Sequence, residues 1–239
     1  MSSHISLSKL DNTDSKKPEF LGIRTLKAVL NSEGYRKDLK DLSFYAAHIK
    51  QERPMLFMLA KHLCKHGFEV VLEKKIHCHK YDLAVNNNTI EAKFYYEGDI
   101  ERRFKEEMDN YRWNFNSLKR EVLKKKGKQL SWSMALPIIK DIFIKTPRIF
   151  MLIILSRDLR TIKNTEPKLL EQICWSKHET KYNEKYGYNN KGYLEVIERF
   201  FERIKKKNHS ESAYLKIDTN TMFPSSYHIF LCDLDTKQR

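Results

Sequence analysis

Hydrophobic residues recur along the chain at two spacings, and each spacing predicts a different kind of element. Steps of three or four residues are typical of a helix with one buried face, whereas alternation and short apolar runs are typical of strands. The helical spacing covers 20–48 (where Gly34 separates a first helix from a second at Arg36–His48), Pro54–Lys65, 101–126, Met134–Ile144, Pro167–Lys181 and Tyr193–Lys207. Strand-like runs cover Phe68–Glu73, a hairpin within Tyr81–Phe94, Ile149–Leu155 and Tyr227–Leu231. The mixture predicts an α/β fold, in which a mixed central β-sheet is flanked by α-helices.

The hairpin carries three ionisable residues inside otherwise apolar strands. Because Asn tolerates a left-handed backbone, Asn87 and Asn88 predict a two-residue turn that pairs Val85 with Ile90. In this register every large apolar side chain of the hairpin lies on one face. The polar residues therefore collect on the other face.

That polar face contains Asp82, Glu91 and Lys93, with Ala84 opposite Glu91 and Asp82 opposite Lys93. Two carboxylates about 5 Å apart repel by about 3 kcal/mol at an effective dielectric constant of about 20, and one lysine offsets only part of this. A divalent cation would make the arrangement favourable, and Mg²⁺ takes such oxygen ligands. The pattern predicts a Mg²⁺ site, with Mn²⁺ as a second candidate, and places Lys93 to orient or deprotonate a water.

A plainer interpretation of the same residues is the solvent-facing side of an edge hairpin, with a cross-strand ion pair. The overall charge bears on this choice, because 45 Lys and Arg against 31 Asp and Glu leave a net charge of +14. Such a surplus suggests a polyanionic partner, since basic side chains displace counterions from a phosphate backbone. A lysine-rich, solvated surface is the alternative explanation of the charge.

The ends, the cysteines and the apolar runs indicate where the protein works. Residues 1–18 are polar and end at Pro18, so we expect a mobile tail without a secretion signal. The four cysteines form no C-x-x-C pair, which favours reduced thiols in an intracellular, cytoplasmic protein. The most apolar run, Ile149–Leu155, is too short to span a bilayer. With no internal repeat and no linker rich in proline and serine, residues 19–239 are expected to form a single domain.

Asp82, eight intervening residues and then Glu91-Ala92-Lys93 resemble the active-site signature of the PD-(D/E)XK nuclease superfamily. The order of elements around them is similar as well: a helix with an acidic residue, a strand, the Asp strand, the (D/E)XK strand, a helix and another strand. Tyr81 stands where the nominal proline would be, although that proline is often absent. The resemblance covers about residues 50–157 and implies a restriction-endonuclease-like core, with 158–239 as a C-terminal elaboration.

The resemblance also implies roles for individual residues. Asp82 and Glu91 would ligate Mg²⁺ together with the Ala92 carbonyl, and Lys93 would activate or position the attacking water. Glu52 matches the acidic helix position less securely, and two other glutamates compete for that supporting role. These competitors are Glu69 and Glu73.

A basic stretch in the helix at 101–126 is the predicted nucleic-acid contact, because cations along one helix can track a phosphate backbone. Lysines at the end of a helix also stabilise its dipole, which is a purely structural reason for some of them. The candidate contacts are Arg102, Arg103, Arg112, Lys119, Arg120, Lys124, Lys125 and Lys126. A zinc site built on His77-Cys78-His79 is a weaker candidate, since only Cys64 or His66 could complete it.

Together these features predict a Mg²⁺-dependent endonuclease that acts on double-stranded DNA, most similar to a type II restriction endonuclease and acting as a homodimer. A repair, recombination or mobile-element nuclease would carry the same hairpin. Two other classes stay open, namely a non-catalytic basic nucleic-acid-binding protein and a structural protein in which Asp82 and Lys93 form only an ion pair.

Overall fold

The fold is described from a computed structural model. It describes residues 21–45, 51–86, 88–98, 100, 138, 141–165, 167–168, 185, 192–208, 211–219, 221 and 224–234. Three expectations lie outside these residues: the tail at 1–18, the basic helix at 101–126, and most of the helices predicted at Met134–Ile144 and Pro167–Lys181. The predicted elements within the described residues occur in the predicted order. The structure adds four elements that were not predicted, at Lys75–Ile76, His79–Lys80, Leu159–Thr165 and Ser212–Thr219.

Three helices precede the sheet: α1 at Ile23–Asn31, α2 at Glu33–Tyr45 and α3 at Glu52–Lys65. The break between the first two falls at Ser32, and the prediction that Gly34 separates them is wrong. Gly34 lies in the first turn of α2, where a Cβ would come within 2.9 Å of His62 Cε1. Glycine is therefore placed there for close packing against α3.

The main sheet has six strands in the order β1-β4-β5-β6-β8-β7. Their bounds are β1 Val70–Leu72, β4 Leu83–Val85, β5 Asn88–Tyr96, β6 Ile149–Arg157, β7 Ser212–Thr219 and β8 Ser225–Asp233. A separate two-stranded sheet pairs β2 Lys75–Ile76 with β3 His79–Lys80. Only β5 and β6 run parallel, so the main sheet is mixed, as predicted.

The turn of the hairpin differs from the prediction by one position. Val85 pairs with Asn88 and Leu83 with Ile90, so the turn falls between Val85 and Asn88 and includes Asn86. Asn86 takes the left-handed backbone that this turn requires, with φ 50°. The observed register is displaced by two residues from the predicted one, and such a displacement leaves every side chain on its predicted face.

Both faces of the sheet are covered by apolar layers. On one face, α1, α2 and α3 pack against a cluster that includes Leu83, Ile90 and Ala92. On the other face, a helix we call α5, at Gly192–Asn208, packs against a cluster that includes Phe150 and Phe230. A short helix, α4 at Leu159–Thr165, follows β6. The central strands β6 and β8 are buried along their whole length, as a doubly covered sheet requires.

The predicted α/β class with helices flanking a mixed sheet is therefore confirmed. The described residues include no helix with both the length and the apolar character needed to cross a bilayer.

Candidate functional site

The hairpin brings the two predicted carboxylates together. Asp82 lies in the bend directly before β4, and Glu91 lies on β5. Because Leu83 pairs with Ile90, the next residues outward, Asp82 and Glu91, face each other across the two strands. The sequence had placed Asp82 opposite Lys93, and the shifted turn corrects this. The carboxylates are thus closer neighbours than predicted.

The backbone of Ala92 lies on the same side as Asp82. The Ala92 amide donates a hydrogen bond to Asp82 Oδ2 at 2.7 Å. The amide and carbonyl of one strand residue face the same neighbouring strand, so the Ala92 carbonyl also points to this side. Pairing between β4 and β5 ends at Leu83 and Ile90, which places that carbonyl beyond the last paired residues.

The helix residue Glu52 also reaches the hairpin. It is the first residue of α3, and its Oε2 accepts a hydrogen bond from the Phe94 amide at 3.1 Å. The competing glutamates lie elsewhere. Glu73 pairs at the surface with Arg53 at 3.2 Å and with Lys80 at 2.7 Å, and Glu69 is exposed. Of the three glutamates, only Glu52 contacts the hairpin strand that carries Glu91 and Lys93, so it is the candidate for the supporting role.

A π-helix at Asp141–Lys145 adds two residues that the sequence analysis did not identify. Lys145 Nζ lies 2.5 Å from Glu91 Oε1 and 3.3 Å from Asp141 Oδ1. Lys93 Nζ lies 3.2 Å from Glu91 Oε1 and 2.9 Å from Asp141 Oδ2. We call these four residues the charge cluster: Glu91, Lys93, Asp141 and Lys145.

The charge cluster is not a solvent-facing ion pair. Glu91 is 1% exposed and Asp141 5% exposed, although both side chains are ionisable. A buried carboxylate is costly unless its oxygens are paired, yet Glu91 Oε2 has no hydrogen-bond partner among the described residues. The plainer interpretation, an exposed cross-strand ion pair, does not fit this burial. A buried and incompletely paired carboxylate is typical of a functional site.

The backbone next to the cluster is held in an unusual conformation. Single π-helical turns occur frequently at functional sites, because they re-aim side chains within a chain segment. Thr146, which follows the π-helix, has φ 49°, a left-handed value that is costly for a β-branched residue. The Tyr81 hydroxyl donates to the Lys145 carbonyl at 2.6 Å and ties this segment to the hairpin. The chain thus maintains a strained turn that holds Asp141 and Lys145 beside Glu91.

Burial dominates the electrostatics of the two carboxylates. It raises the pKa of Glu91, a hydrogen bond from Lys145 opposes the shift, and nearby Asp82 adds to it. It also raises the pKa of Asp82, which the Ala92 amide and Lys93 offset only in part. Both negative charges are therefore held at a cost in the metal-free protein.

The pKa values of Lys93 and Lys145 are shifted in the direction opposite to the one that burial alone would cause. Burial lowers the pKa of Lys93, but the carboxylates of Asp141 and Glu91 outweigh it, and the pKa is raised. The pKa of Lys145 is raised by the same two partners, again against burial. Lys93 is thus a persistent cation in this state, which favours the orienting role over that of a general base.

The residues fit a divalent cation in two respects. The unpartnered Glu91 Oε2, the facing Asp82 and the Ala92 carbonyl form an oxygen set of the kind that Mg²⁺ accepts along with water. Among the described residues of the site, three carboxylates and two ammonium groups also leave one formal negative charge in excess. These five are Asp82, Glu91 and Asp141 against Lys93 and Lys145. Within the described ranges no group of three or more His, Cys, Asp and Glu residues has a metal-ligating arrangement, and the oxygen set above contains only two carboxylates.

The remaining predicted sites have different outcomes. The zinc candidate around His77-Cys78-His79 is made of described residues, and they form no such ligand group. The predicted nucleic-acid contacts on the helix at 101–126 lie outside the described residues. They stay predictions.

Comparisons with known proteins give no independent assignment. A scan against protein-family models found no match, and neither did searches of curated proteins and of solved structures. Function is therefore inferred from the geometry and charges of the site, the sequence motif and the net charge of the chain.

Proposed function

We propose that the protein is a Mg²⁺-dependent endonuclease that hydrolyses phosphodiester bonds in double-stranded DNA. The observation that carries the proposal is the meeting of Asp82 and Glu91 across the hairpin, with Lys93 beside them and Glu91 Oε2 buried without a partner. Removal of this carboxylate from water is unfavourable unless a cation completes it. A divalent cation is the ligand that would satisfy the excess negative charge of the site.

The order of the elements supports the same class. Helix α3 with Glu52, then β1, β4 and β5, and then β6 parallel to β5 follow the order found in the PD-(D/E)XK superfamily. The resemblance in the sequence rested on the spacing of the motif and on the order of the predicted elements. The sheet adds the pairing of the strands, so a restriction-endonuclease-like core is the fold that we propose.

Each side chain has a distinct role in this proposal. Asp82, Glu91 and the Ala92 carbonyl would hold Mg²⁺, which supplies positive charge to polarise the scissile phosphate and lower the pKa of a water. Mn²⁺ would serve in its place. Lys93, kept protonated by Asp141, would orient the attacking water and stabilise charge on the phosphate. Glu52 would fix the edge of β5 through the Phe94 amide.

DNA as the substrate rests on charge. The net charge of +14 favours a polyanion, and the basic residues predicted between 102 and 126 would contact its backbone. Cleavage of both strands at a site of two-fold symmetry would be accomplished by a homodimer. A restriction enzyme is the role that we favour, and repair, recombination or mobile-element nucleases are alternatives with the same chemistry.

A second candidate function is binding without cleavage. The lysines and carboxylates of the charge cluster already pair with one another, since each lysine contacts both Glu91 and Asp141. Such a network can stabilise a fold without any catalytic role. The protein would then bind nucleic acid through its basic surface, and Mg²⁺ would not affect it.

Incubation with supercoiled plasmid and phage DNA, with Mg²⁺ or with EDTA, tests the proposal. Asp82→Ala and Lys93→Ala are compared with Lys80→Ala, which removes a lysine that pairs with Glu73 at the surface. We expect Mg²⁺-dependent cleavage that both site variants abolish and the control retains.

The products distinguish the biological roles. Discrete fragments would support a sequence-specific restriction enzyme, and a smear would support the repair or degradation role. If neither DNA nor RNA is cut with Mg²⁺ or Mn²⁺ while DNA still binds, the enzyme proposal is wrong and the binding protein remains.

A further inference from the structure

Lys145 occupies the position beside Glu91 where a cation is needed. Its Nζ is 2.5 Å from Glu91 Oε1, closer than Lys93 at 3.2 Å. It reaches this position from a separate segment, the π-helix, and the signature of the hairpin does not include it. The side chain is 23% exposed, so its ammonium group is near enough to the surface to move into solvent.

We propose that Lys145 is an internal counterion that competes with the divalent cation for Glu91 and so sets the metal affinity of the site. The inference rests on the proposed function, because it requires the metal site at Asp82 and Glu91. Without a cation, Lys145 would neutralise Glu91 through Oε1. A divalent cation held by Glu91 Oε2 and Asp82 would repel the Lys145 ammonium, which would weaken its contact with Oε1 and shift toward Asp141 or toward solvent.

Two observations support a competing rather than a supporting role. Glu91 has one oxygen held by both lysines, whereas the buried Oε2 has no described partner, so lysine alone does not satisfy this carboxylate. Asp141 contacts Lys145 as well, at 3.3 Å, and offers a second partner on the same π-helix once Glu91 is given up. A lysine with two acceptors can change partners without losing all its pairing.

The direction in which Mg²⁺ affinity changes when Lys145 is removed distinguishes this proposal from a purely structural ion pair. Even at the dielectric constant of water, one positive charge about 5 Å from a divalent ion changes its binding by about tenfold. If Lys145 competes, its removal makes Mg²⁺ bind more tightly. If Lys145 only holds Glu91 in place as a ligand, its removal makes Mg²⁺ bind more weakly.

The test is calorimetric titration of Mg²⁺ into the whole protein without DNA, comparing wild type with Lys145→Met. Lys145→Arg keeps the charge, and Lys80→Met removes an exposed charge that pairs with Glu73 rather than with the charge cluster. We expect the dissociation constant to fall about tenfold or more in Lys145→Met, and to stay within about twofold of wild type in the other two. Lys145→Gln provides the same comparison if the methionine variant does not fold.

The outcomes separate this inference from the proposed function. Equal or weaker Mg²⁺ binding in both uncharged variants would overturn the role of Lys145 and leave the metal site intact. An absence of Mg²⁺ and Mn²⁺ binding in wild type and in all variants would overturn both. An equal gain of affinity in Lys80→Met would show a general charge effect and would also overturn the specific role of Lys145.

Discussion

At the scale of single residues, the site is built from groups that are costly in the metal-free protein. Burial raises the pKa of Asp82 and of Glu91, so each charge opposes folding when no cation is bound. Functional sites commonly carry such a cost, and substitutions that relieve it stabilise the fold at the expense of activity. The stability of site variants is therefore informative without any assay of cleavage.

The first prediction is that Asp82→Asn stabilises the metal-free protein. The amide oxygen still accepts the hydrogen bond from the Ala92 amide, and the repulsion from Glu91 is removed. In EDTA near neutral pH, we expect the free energy of unfolding to rise by about 1 kcal/mol. The gain should shrink as the pH falls through the raised pKa of Asp82, because the wild-type carboxyl is then protonated in the folded state. Denaturant unfolding at several pH values measures both effects.

Asp38→Asn is the matched control for this prediction. Burial opposes the charge of Asp38, but Lys61 at 2.9 Å and His62 at 3.0 Å outweigh burial and lower its pKa. A lowered pKa means that the charge stabilises the fold above the ordinary pKa, so this variant should lose stability at neutral pH. A loss of similar size in Asp82→Asn would contradict the assignment of Asp82 to a functional site.

The sequence revealed the hairpin residues but not their partners on the π-helix. Asp82, Glu91 and Lys93 lie within one short stretch, so alternation along two strands is enough to place them on one face. Asp141 and Lys145 are about fifty residues further along, and only the parallel pairing of β5 with β6 brings their segment to Glu91. Their one local signal was an acidic and a basic residue four apart in an apolar run.

At the scale of elements, the turn of the hairpin shows what a pattern can and cannot define. Registers that differ by two residues place the same side chains on the same face, so the apolar pattern could not choose between Asn86-Asn87 and Asn87-Asn88 as the turn. Asn86 selects the observed turn. Its backbone is left-handed, with φ 50°, and its side-chain Oδ1 accepts a hydrogen bond from the Glu69 amide at 2.9 Å. Asn86 thus links the turn to β1.

The second prediction follows from this double role of Asn86. Alanine cannot replace the acceptor and is strained at positive φ, so Asn86→Ala should reduce the free energy of unfolding by about 1–2 kcal/mol. Glycine relieves the strain but not the lost hydrogen bond, so Asn86→Gly should fall between alanine and wild type, and Asn86→Asp should be the mildest. Denaturant midpoints rank the variants. Alanine as stable as wild type would show that this turn conformation is not required.

Strand β7 was missed because its signal is brief. Leu215 and Ile217 alternate with Lys216 and Asp218, which is typical of an edge strand with one exposed face. The alternation covers only these few positions. Pairing with the fully buried β8 stabilises β7, and that pairing is a tertiary effect that local sequence does not contain.

At the scale of the whole molecule, the doubly covered sheet buries ionisable groups far from the site as well. His228 on β8 is 2% exposed, and its Nδ1 lies 2.7 Å from the Tyr214 hydroxyl. Burial, aided by Lys216, lowers the pKa of His228 to about 4. Folding therefore keeps this histidine neutral in a range where an unfolded chain would protonate it.

The third prediction concerns the response of the whole fold to acid. Because the unfolded chain binds the proton more readily, His228 makes the protein less stable as the pH falls from about 6.5 to about 4, by up to about 3 kcal/mol. His228→Gln should lose that part of the pH dependence while keeping a polar group near Tyr214. Unfolding curves at pH 7.5 and 4.5 provide the comparison. Parallel losses of stability in the two proteins would contradict a buried neutral His228.

The sequence alone establishes the overall charge of the molecule. It does not establish where on the surface the charged side chains lie. A net charge of +14 favours a polyanion wherever the lysines lie. The predicted contact helix at 101–126 lies outside the described residues. The site is therefore the part of the proposal on which a decisive measurement can be made.

The most direct measurement is the single-turnover rate of Mg²⁺-dependent plasmid cleavage by wild type and by Glu91→Gln. Glutamine keeps the size of the buried side chain and removes the charge that a divalent cation requires. We predict measurable cleavage by wild type and a rate at least about 100-fold lower in the folded variant, as expected when a metal ligand is lost. Cleavage by the variant at the wild-type rate would contradict the assignment of Glu91 to a metal-dependent nuclease site.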